Sequence, residues 1–498
     1  MIEKADSGRE NWPLALLLGI VGCLVVAASI KGGSLDEYWT IAFADPRTPL
    51  RAAFLDWSAD KGHPVGFYAL NRLLAPIFPA EIFWRRLANL LYFLPLIAIS
   101  LGSNRRDRVF ELLFIAVMAA SPYFIERFAE NRATFLALVL VATMVLIARR
   151  RILAPGLQPS TTLYLALLSA MLAVTDYPVA LAGGGLLGAW LIDSLFRRDP
   201  GAAVAPFTGL AILGGIGLVS MLNSSRVDMP SPYYQPFSGL ILDTAAVVAT
   251  VFLPVAALLA IAAFRQARAG MAPRRAIAWL ADNRFAWAMV VALALTSVAF
   301  LLVNAATHAL IRRQLFGLIP LEAALLVELS LWRMRASDIA LVASCILLVA
   351  VGSAAALIRK PSFERYAFDM HSAQQACPSL MIYAVHPDRL TPSSHLFNRF
   401  PSTADPFFTG YEKVADAYDF QLQPTAIGMP LPVDPSCGVL VWIEGAYIVG
   451  SPTPEWIARR AGLDADPATL SRATVRYAGH SLLMIVPPPS LRALPHIR

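Results

Sequence analysis

Apolar runs close to twenty residues long recur from Trp12 to Leu357 of this chain, and each is long enough for a hydrocarbon core of about 30 Å. Nothing else in the sequence constrains the fold as strongly. Lipid offers the backbone no hydrogen bonds, so segments of this length must cross as helices. The candidate spans are Trp12 to Ile30, Ile82 to Leu101, Val109 to Ile125, Ala133 to Ala148, Ser160 to Thr175, Tyr177 to Leu195, Val204 to Leu222, Leu240 to Phe264, Phe285 to Val303, Leu315 to Leu331 and Ile339 to Leu357, eleven in all. The first follows a short segment of mixed charge and exceeds the apolar stretch of a signal peptide, so it reads as a retained helix. Only 15% of residues are charged and 57% are hydrophobic, against about 25% charged in soluble chains, which excludes a soluble multi-domain enzyme.

The net charge of +7 does not point to nucleic acid, because no basic stripe alternates with aromatics and the Arg clusters sit between apolar runs. They act as topology signals instead. The stretch His63 to Pro79 (HPVGFYALNRLLAPIFP) is short, carries Asn71 and Arg72, and is broken by Pro76 and Pro79. If it does not span, Arg105, Arg106, Arg108, Arg149 to Arg151, Arg197, Arg198, the Arg265 to Arg284 group, Arg333 and Arg335 all fall on one side. By the positive-inside rule that side is cytoplasmic. His63 to Pro79 is therefore expected as a juxtamembrane or re-entrant helix in the inner (plasma) membrane. The N-terminus is then cytoplasmic, and both the first loop (31–81) and the tail from Arg359 face outward.

The tail changes character: it is rich in Pro, Asp and Ser and carries short β-like runs. A helix is expected near Ser362 to Ala376, strands near Leu380 to Val385, Val439 to Ile443, Thr474 to Tyr477 and Ser481 to Val486, and a helix near Pro454 to Ala461. Together these make a C-terminal extracytoplasmic α/β domain (359–498) after a membrane domain (1–358). Cys377 and Cys437 each precede a strand, so neighbouring strands would bring them side by side as a disulfide or as two buried thiols. With Cys23 and Cys345 they form no CxxC or Cys/His spacing, which argues against a zinc or redox motif.

The first loop gathers the chemistry. Asp36 and Glu37 follow the first span directly, and the loop continues through Lys61, His63, Tyr68 and Arg72 to Arg85 and Arg86. Candidate bases thus stand beside candidate phosphate-binding groups. An acidic pair at a membrane boundary also simply ends a helix in water, and both readings stand at this point. Glu322 and Glu328 lie inside a span, where charge is costly and is functional or paired.

The order of Asp36-Glu37, His63-Pro64 opening an aromatic helix, and Glu81…Arg85-Arg86-Leu87-Ala88-Asn89 resembles the GT-C class of membrane glycosyltransferases. The nearest group within it is the bacterial relatives of protein O-mannosyltransferases and of the aminoarabinose transferase that modifies lipid A. Further segments match in order: Ser121-Pro122-Tyr123…Glu130-Asn131-Arg132, Thr175-Asp176-Tyr177, and Arg313-Gln314 through Pro320. His63 is followed by a single proline, and Asp176 and Gln314 depart from the usual residues.

The resemblance implies about eleven spans with juxtamembrane helices in the first outer loop. It also implies a catalytic carboxylate in the pair, with Asp36 as general base and Glu37 orienting it or binding acceptor. His63 matches the phosphate-side position, and Arg132 and Arg313 match phosphate ligands. Lys61, Tyr68, Arg72, Glu130, Asp176 and Arg312 complete the expected substrate-binding set. Each has a structural alternative: an ion pair at a helix end for Glu130 and Arg132, capping for His63, interfacial anchoring for Arg312 and Arg313. Short inner loops without a Gly-rich phosphate cradle point away from a nucleotide sugar. The expected donor is a polyprenyl-phosphate sugar, and the acceptor a lipid, glycan or protein hydroxyl of the cell envelope. No cofactor is assigned, and a divalent metal is left open. The alternative is a polytopic transporter or flippase of lipid-linked sugars, which would place ionisable groups near the bilayer midplane.

Overall fold

Helices stand where the apolar runs stand, and local capping chemistry sets their ends. The computed structural model describes residues 12–59, 65–79, 81–154, 158–223, 238–239, 241–247, 249, 283–307, 312–331, 336–359, 363–385, 406–423, 430–444, 452–478 and 481–488. In chain order the helices are α1 (Trp12–Ile30), α2 (Leu35–Phe43), α3 (Leu50–Ala59), α4 (Val65–Leu74), α5 (Ile82–Leu101), α6 (Arg105–Ala120), α7 (Pro122–Phe128), α8 (Ala133–Leu153), α9 (Pro159–Ala173), α10 (Tyr177–Phe196) and α11 (Pro200–Asn223). After them come α12 (Arg284–Thr307), α13 (Leu318–Leu331), α14 (Ala336–Ala356), α15 (Ala367–Ala376), α16 (Pro406–Tyr418), α17 (Pro454–Ala461) and α18 (Pro467–Leu470). The strands are β1 (Met381–Ala384), β2 (Leu431–Pro432), β3 (Val439–Ile443), β4 (Leu463–Asp464), β5 (Thr474–Ala478) and β6 (Ser481–Val486).

Among the described residues, five helices are long and apolar enough to cross a membrane: α5, α8, α10, Pro200–Gly217 of α11 and Arg284–Ala305 of α12. A sixth is counted if α6 and α7 form one span. Leu14–Ile30, α9 and Val342–Ala356 are apolar but shorter, and the expected span Leu240 to Phe264 lies mostly outside the described residues. Two expected spans differ in shape from a plain helix. Val109 to Ile125 is broken at Ser121, where the chain bends by 80°. Pro122 lacks an N–H and forces the residue before it out of the helical region, and Ser121 accordingly sits at ψ 133°. Leu315 to Leu331 begins as a 3-10 turn, Arg312–Gly317, before α13 starts. The stretch from His63 contributes α4, whose ten residues reach about 15 Å, half of a hydrocarbon core.

The chain divides into two compact units: Met1–Ile30, Lys61–Leu70 and Phe83–Leu357 form the first, and Lys31–Asp60, Asn71–Ile82 and Ile358–Arg498 the second. In the first, α10 is central and packs on α8, α11 and α12, while α6 packs on α1, α13 and α14. Its buried centre is aromatic, with Phe93, Phe124 and Phe135 in mutual contact at centroid separations of 5.1–6.4 Å. Toward the C-terminal end of α8, Arg149 bridges Asp107 (2.8 Å) and Glu328 (3.1 Å) and lies 4.0 Å over the Phe110 ring. Arg150 pairs with Glu111 at 2.8 Å, and Asn283 donates to Glu328 at 3.0 Å. Glu328 is thus a paired charge. Glu322 is also buried, with no hydrogen bond from a described residue to its Oε2.

The second unit contains a four-stranded sheet in the order β1-β3-β6-β5, with β1 and β3 parallel and the other pairs antiparallel. Its four strands lie within a residue or two of the runs read from the sequence, because short β-branched and apolar runs with flanking turns are local signals. Strands β1 and β3 are neighbours, with Met381 opposite Val439. Cys377 and Cys437 stand just before them and form a disulfide across a Cα separation of 6.0 Å. Thr453 caps α17, and Gly462 ends it in the left-handed region at φ 77°.

Candidate active site

The acidic pair opens α2, and the helix start treats its two members differently. Ser34 is the N-cap and Glu37 the third helical residue, so the Glu37 carboxylate can reach back to the N-terminal donors. It does so: the Ser34 N–H and hydroxyl donate to Glu37 Oε2 at 3.0 and 3.1 Å, and Lys31 Nζ lies 3.8 Å away. Glu37 is fully buried. Asp36, one residue earlier, remains partly exposed on the neighbouring face. The Ser34-x-x-Glu37 spacing was in the sequence and by itself separates the two acids.

Elsewhere in the second unit, Arg72 donates to the carbonyls of Asp45 (2.9 Å), Pro46 (3.1 Å) and Thr48 (2.7 Å). Its guanidinium closes the turn between α2 and α3. Tyr38 is buried, and its hydroxyl donates to Glu364. Burial first, then the adjoining Glu364 carboxylate, raises the Tyr38 pKa. The same two causes push Tyr418 up to about 12.

In the first unit, several expected residues gather where helices break or begin. Asn89 of α5 donates to the carbonyls of Phe128 (2.8 Å) and Glu130 (2.9 Å), fixing the turn after α7. Arg127 pairs with Glu126 (2.7 Å) and Glu130 (2.6 Å), and its guanidinium lies 5.3 Å over the Phe316 ring. Phe316, in the turn that begins with Arg312 and Arg313, stacks on Tyr123 at 4.5 Å. Arg132 is the buried N-cap residue of α8. Asp176 caps α10, accepting from Val179 N at 3.0 Å and from the Thr134 hydroxyl at 2.8 Å.

The first turn of α4 sits against this same end. Gly66 N donates to Val174 O at 2.9 Å, and a Cβ on Gly66 would lie 2.4 Å from that oxygen. Only glycine permits the approach, which places the buried Tyr68 two residues further along. Lys61 and His63 lie outside the described residues. Arg127, Asn89, Thr134 and Phe316 were missed as site neighbours. Asn89, Arg127 and Phe316 stood inside segments that resemble the family, whereas Thr134 carries no local signal.

This end combines two helix N-termini, which favour anions, with guanidinium groups from α7 and the residue before α8. Its backbone is irregular, as at Ser121, at 129–132 and at 312–317. Such backbone occurs at membrane depth only where protein covers it or a polar cavity adjoins it. Among the described residues no group of three or more His, Cys, Asp or Glu side chains could hold a metal ion.

No protein-family model matches this sequence. No curated protein matches it either. Solved structures do. ArnT from Cupriavidus metallidurans bound to undecaprenyl phosphate is 13% identical, with a TM-score of 0.50 over 97% of this chain and 98% of that one. ArnT from the same organism in the apo state is 14% identical, with a TM-score of 0.51 over 96% and 98%. At such identity the likeness is one of fold, and across nearly its whole length this helical membrane protein has the GT-C fold of ArnT that its motifs resemble.

Proposed function

We propose that the chain is an integral-membrane glycosyltransferase that moves a sugar from a polyprenyl-phosphate donor to an acceptor hydroxyl outside the cytoplasm. The observation that carries this reading is the split within the acidic pair. Glu37 is bound into the start of α2, and Asp36, which is partly exposed, is the carboxylate assigned to the acceptor. The end-to-end fold likeness to ArnT, whose solved complex holds undecaprenyl phosphate, supports a lipid-borne donor.

In the reaction, the acceptor oxygen attacks the anomeric carbon as Asp36 takes its proton. The bond from that carbon to the phosphate oxygen breaks, and polyprenyl phosphate leaves with the electron pair. The departing phosphate is assigned to Arg132 and the N-termini of α8 and α10, with Arg312 and Arg313 as the further cations expected from the sequence. Asp176 and Tyr68 shape that end of the bundle, His63 and Lys61 are assigned as further ligands from the sequence alone, and Arg72 holds the turn between α2 and α3. Eleven spans with a cytoplasmic N-terminus would put Asp36 and the α/β unit on the outer side. Helix α3 turns Leu50, Phe54 and Leu55 outward, as a helix lying at a lipid surface does.

Purified protein in proteoliposomes, assayed against a panel of polyprenyl-phosphate sugars, tests the reading. Asp36→Asn is expected to lower transfer by at least about 100-fold at unchanged expression and thermal stability. Full turnover by that variant would remove Asp36 as the base.

A further inference from the structure

Helix α2 carries the acidic pair, yet its orientation is fixed far from it in sequence. Tyr38 stands two residues after Asp36, and on a helix that is about 200° around the axis. Whatever holds Tyr38 inward therefore turns Asp36 outward. Tyr38 is held by Glu364, on the 3-10 turn Phe363–Tyr366 beyond the last apolar helix. The other oxygen of that carboxylate accepts the Tyr418 hydroxyl, from the end of α16, at 3.2 Å. Charge-assisted bonds from a hydroxyl to a carboxylate are the strong kind.

Packing follows the same line. Tyr38 lies in one hydrophobic cluster with Tyr366, Met370, Tyr411, Val414 and Ala415. Gly33, at the foot of α2, approaches so closely that a Cβ there would lie 2.9 Å from Glu364 Oε1 and 2.8 Å from the Tyr38 ring. One carboxylate thus touches the start of α2, its first buried aromatic and the end of α16.

We propose that Glu364 is a positioning residue for the transfer reaction, which through Tyr38 sets the rotation of α2 and hence the direction of the Asp36 carboxylate. The proposal rests on the reading of Asp36 as the base. Glu364 touches no substrate. It acts on the rate of the chemical step and leaves donor affinity alone.

Two measurements on the full-length protein test it. The first needs no turnover: Asp36→Cys, in a Cys23→Ser and Cys345→Ser background, is labelled with a membrane-impermeant maleimide. Adding Glu364→Ala, or Tyr38→Phe should the alanine variant not fold, is expected to change the labelling rate several-fold. The second is kinetic. With Asp36 intact, Glu364→Ala and Tyr38→Phe each lower kcat per folded molecule by about 10- to 100-fold with KM for the lipid-linked sugar little changed. Their combination is no worse than either alone, and Glu364→Gln, which keeps an acceptor for Tyr38, recovers most of the rate.

Unchanged labelling, or kcat losses that simply multiply in the double variant, would overturn the proposal. Full activity of Asp36→Asn strikes the base reading instead, and labelling still decides whether Glu364 turns the helix.

Discussion

Carboxylates packed inside the fold are handled in opposite ways by the two units. In the helical unit, Asp107, Glu111 and Glu328 meet guanidinium groups: Arg149 joins α6 to α13 through α8, and Arg150 ties α8 to Glu111 of α6. In the α/β unit, Glu444 follows β3 and is 3% exposed. Among the described residues it accepts from neutral donors, Trp442 Nε1 at 2.7 Å and the Ser481 hydroxyl at 2.6 Å, while its own N–H donates to the Tyr411 hydroxyl. A guanidinium keeps a carboxylate charged at the cost of burying two ions. Neutral donors leave it free to hold a proton, and burial pushes Glu444 up to about 8 against the opposing pull of its hydrogen bonds. The ion-paired acids of the first unit are cross-links, whereas Glu444 is a pH-dependent element of the fold.

The largest break in that contrast is expected at Arg149. Arg149→Ala removes the buried guanidinium shared by Asp107, Glu328 and the Phe110 ring and costs about 3–5 kcal/mol, which thermal unfolding in detergent reads. Turnover per folded molecule stays unchanged, since this cluster lies a full length of α8 from Arg132. The second unit relies on a covalent tie where the first uses charge. Its disulfide closes a loop over a sequence separation of 60 residues, so Cys437→Ser costs about 4 kcal/mol by loop entropy. Denaturation with and without reductant reports the same change.

The smallest effect sharpens the contrast by pH. Between the unfolded pKa near 4.5 and the folded value of about 8, the native state holds a proton that the unfolded chain releases. Stability therefore falls as pH rises through this window, by on the order of a few kcal/mol, and levels off above it. Glu444→Gln is expected to flatten the slope between pH 5 and pH 9, as followed by Tm. An unaltered slope would mean that another group carries it.

Local elements were legible because their signals are local. The helix read from Ile82 to Leu101, the strand from Val439 to Ile443 and the helix from Pro454 to Ala461 are found at those bounds, the first two set by apolar runs and the third by its caps. The break at Ser121 could be read from Pro122, and the burial of Glu37 from Ser34 three residues before it. Other features had no such trace. The partners of Glu328 sit at positions 149 and 283, and Glu364 lies 326 residues from Tyr38. Counting Arg149 and Arg150 as loop charges missed that both are ion-paired.

Membrane residence, the helical class, the strands of the tail and the resemblance to GT-C enzymes came from the sequence alone, because run length, period and motif order survive without contacts. Tertiary structure decided how neighbouring acids divide their roles. The Ser34-x-x-Glu37 spacing marks Glu37 for the helix start, but the direction of Asp36 depends on the rotation of α2, with Tyr38 held by Glu364 far along the chain. Side-chain direction is a property of rotation about a helix axis, and that rotation is set by packing between residues hundreds of positions apart.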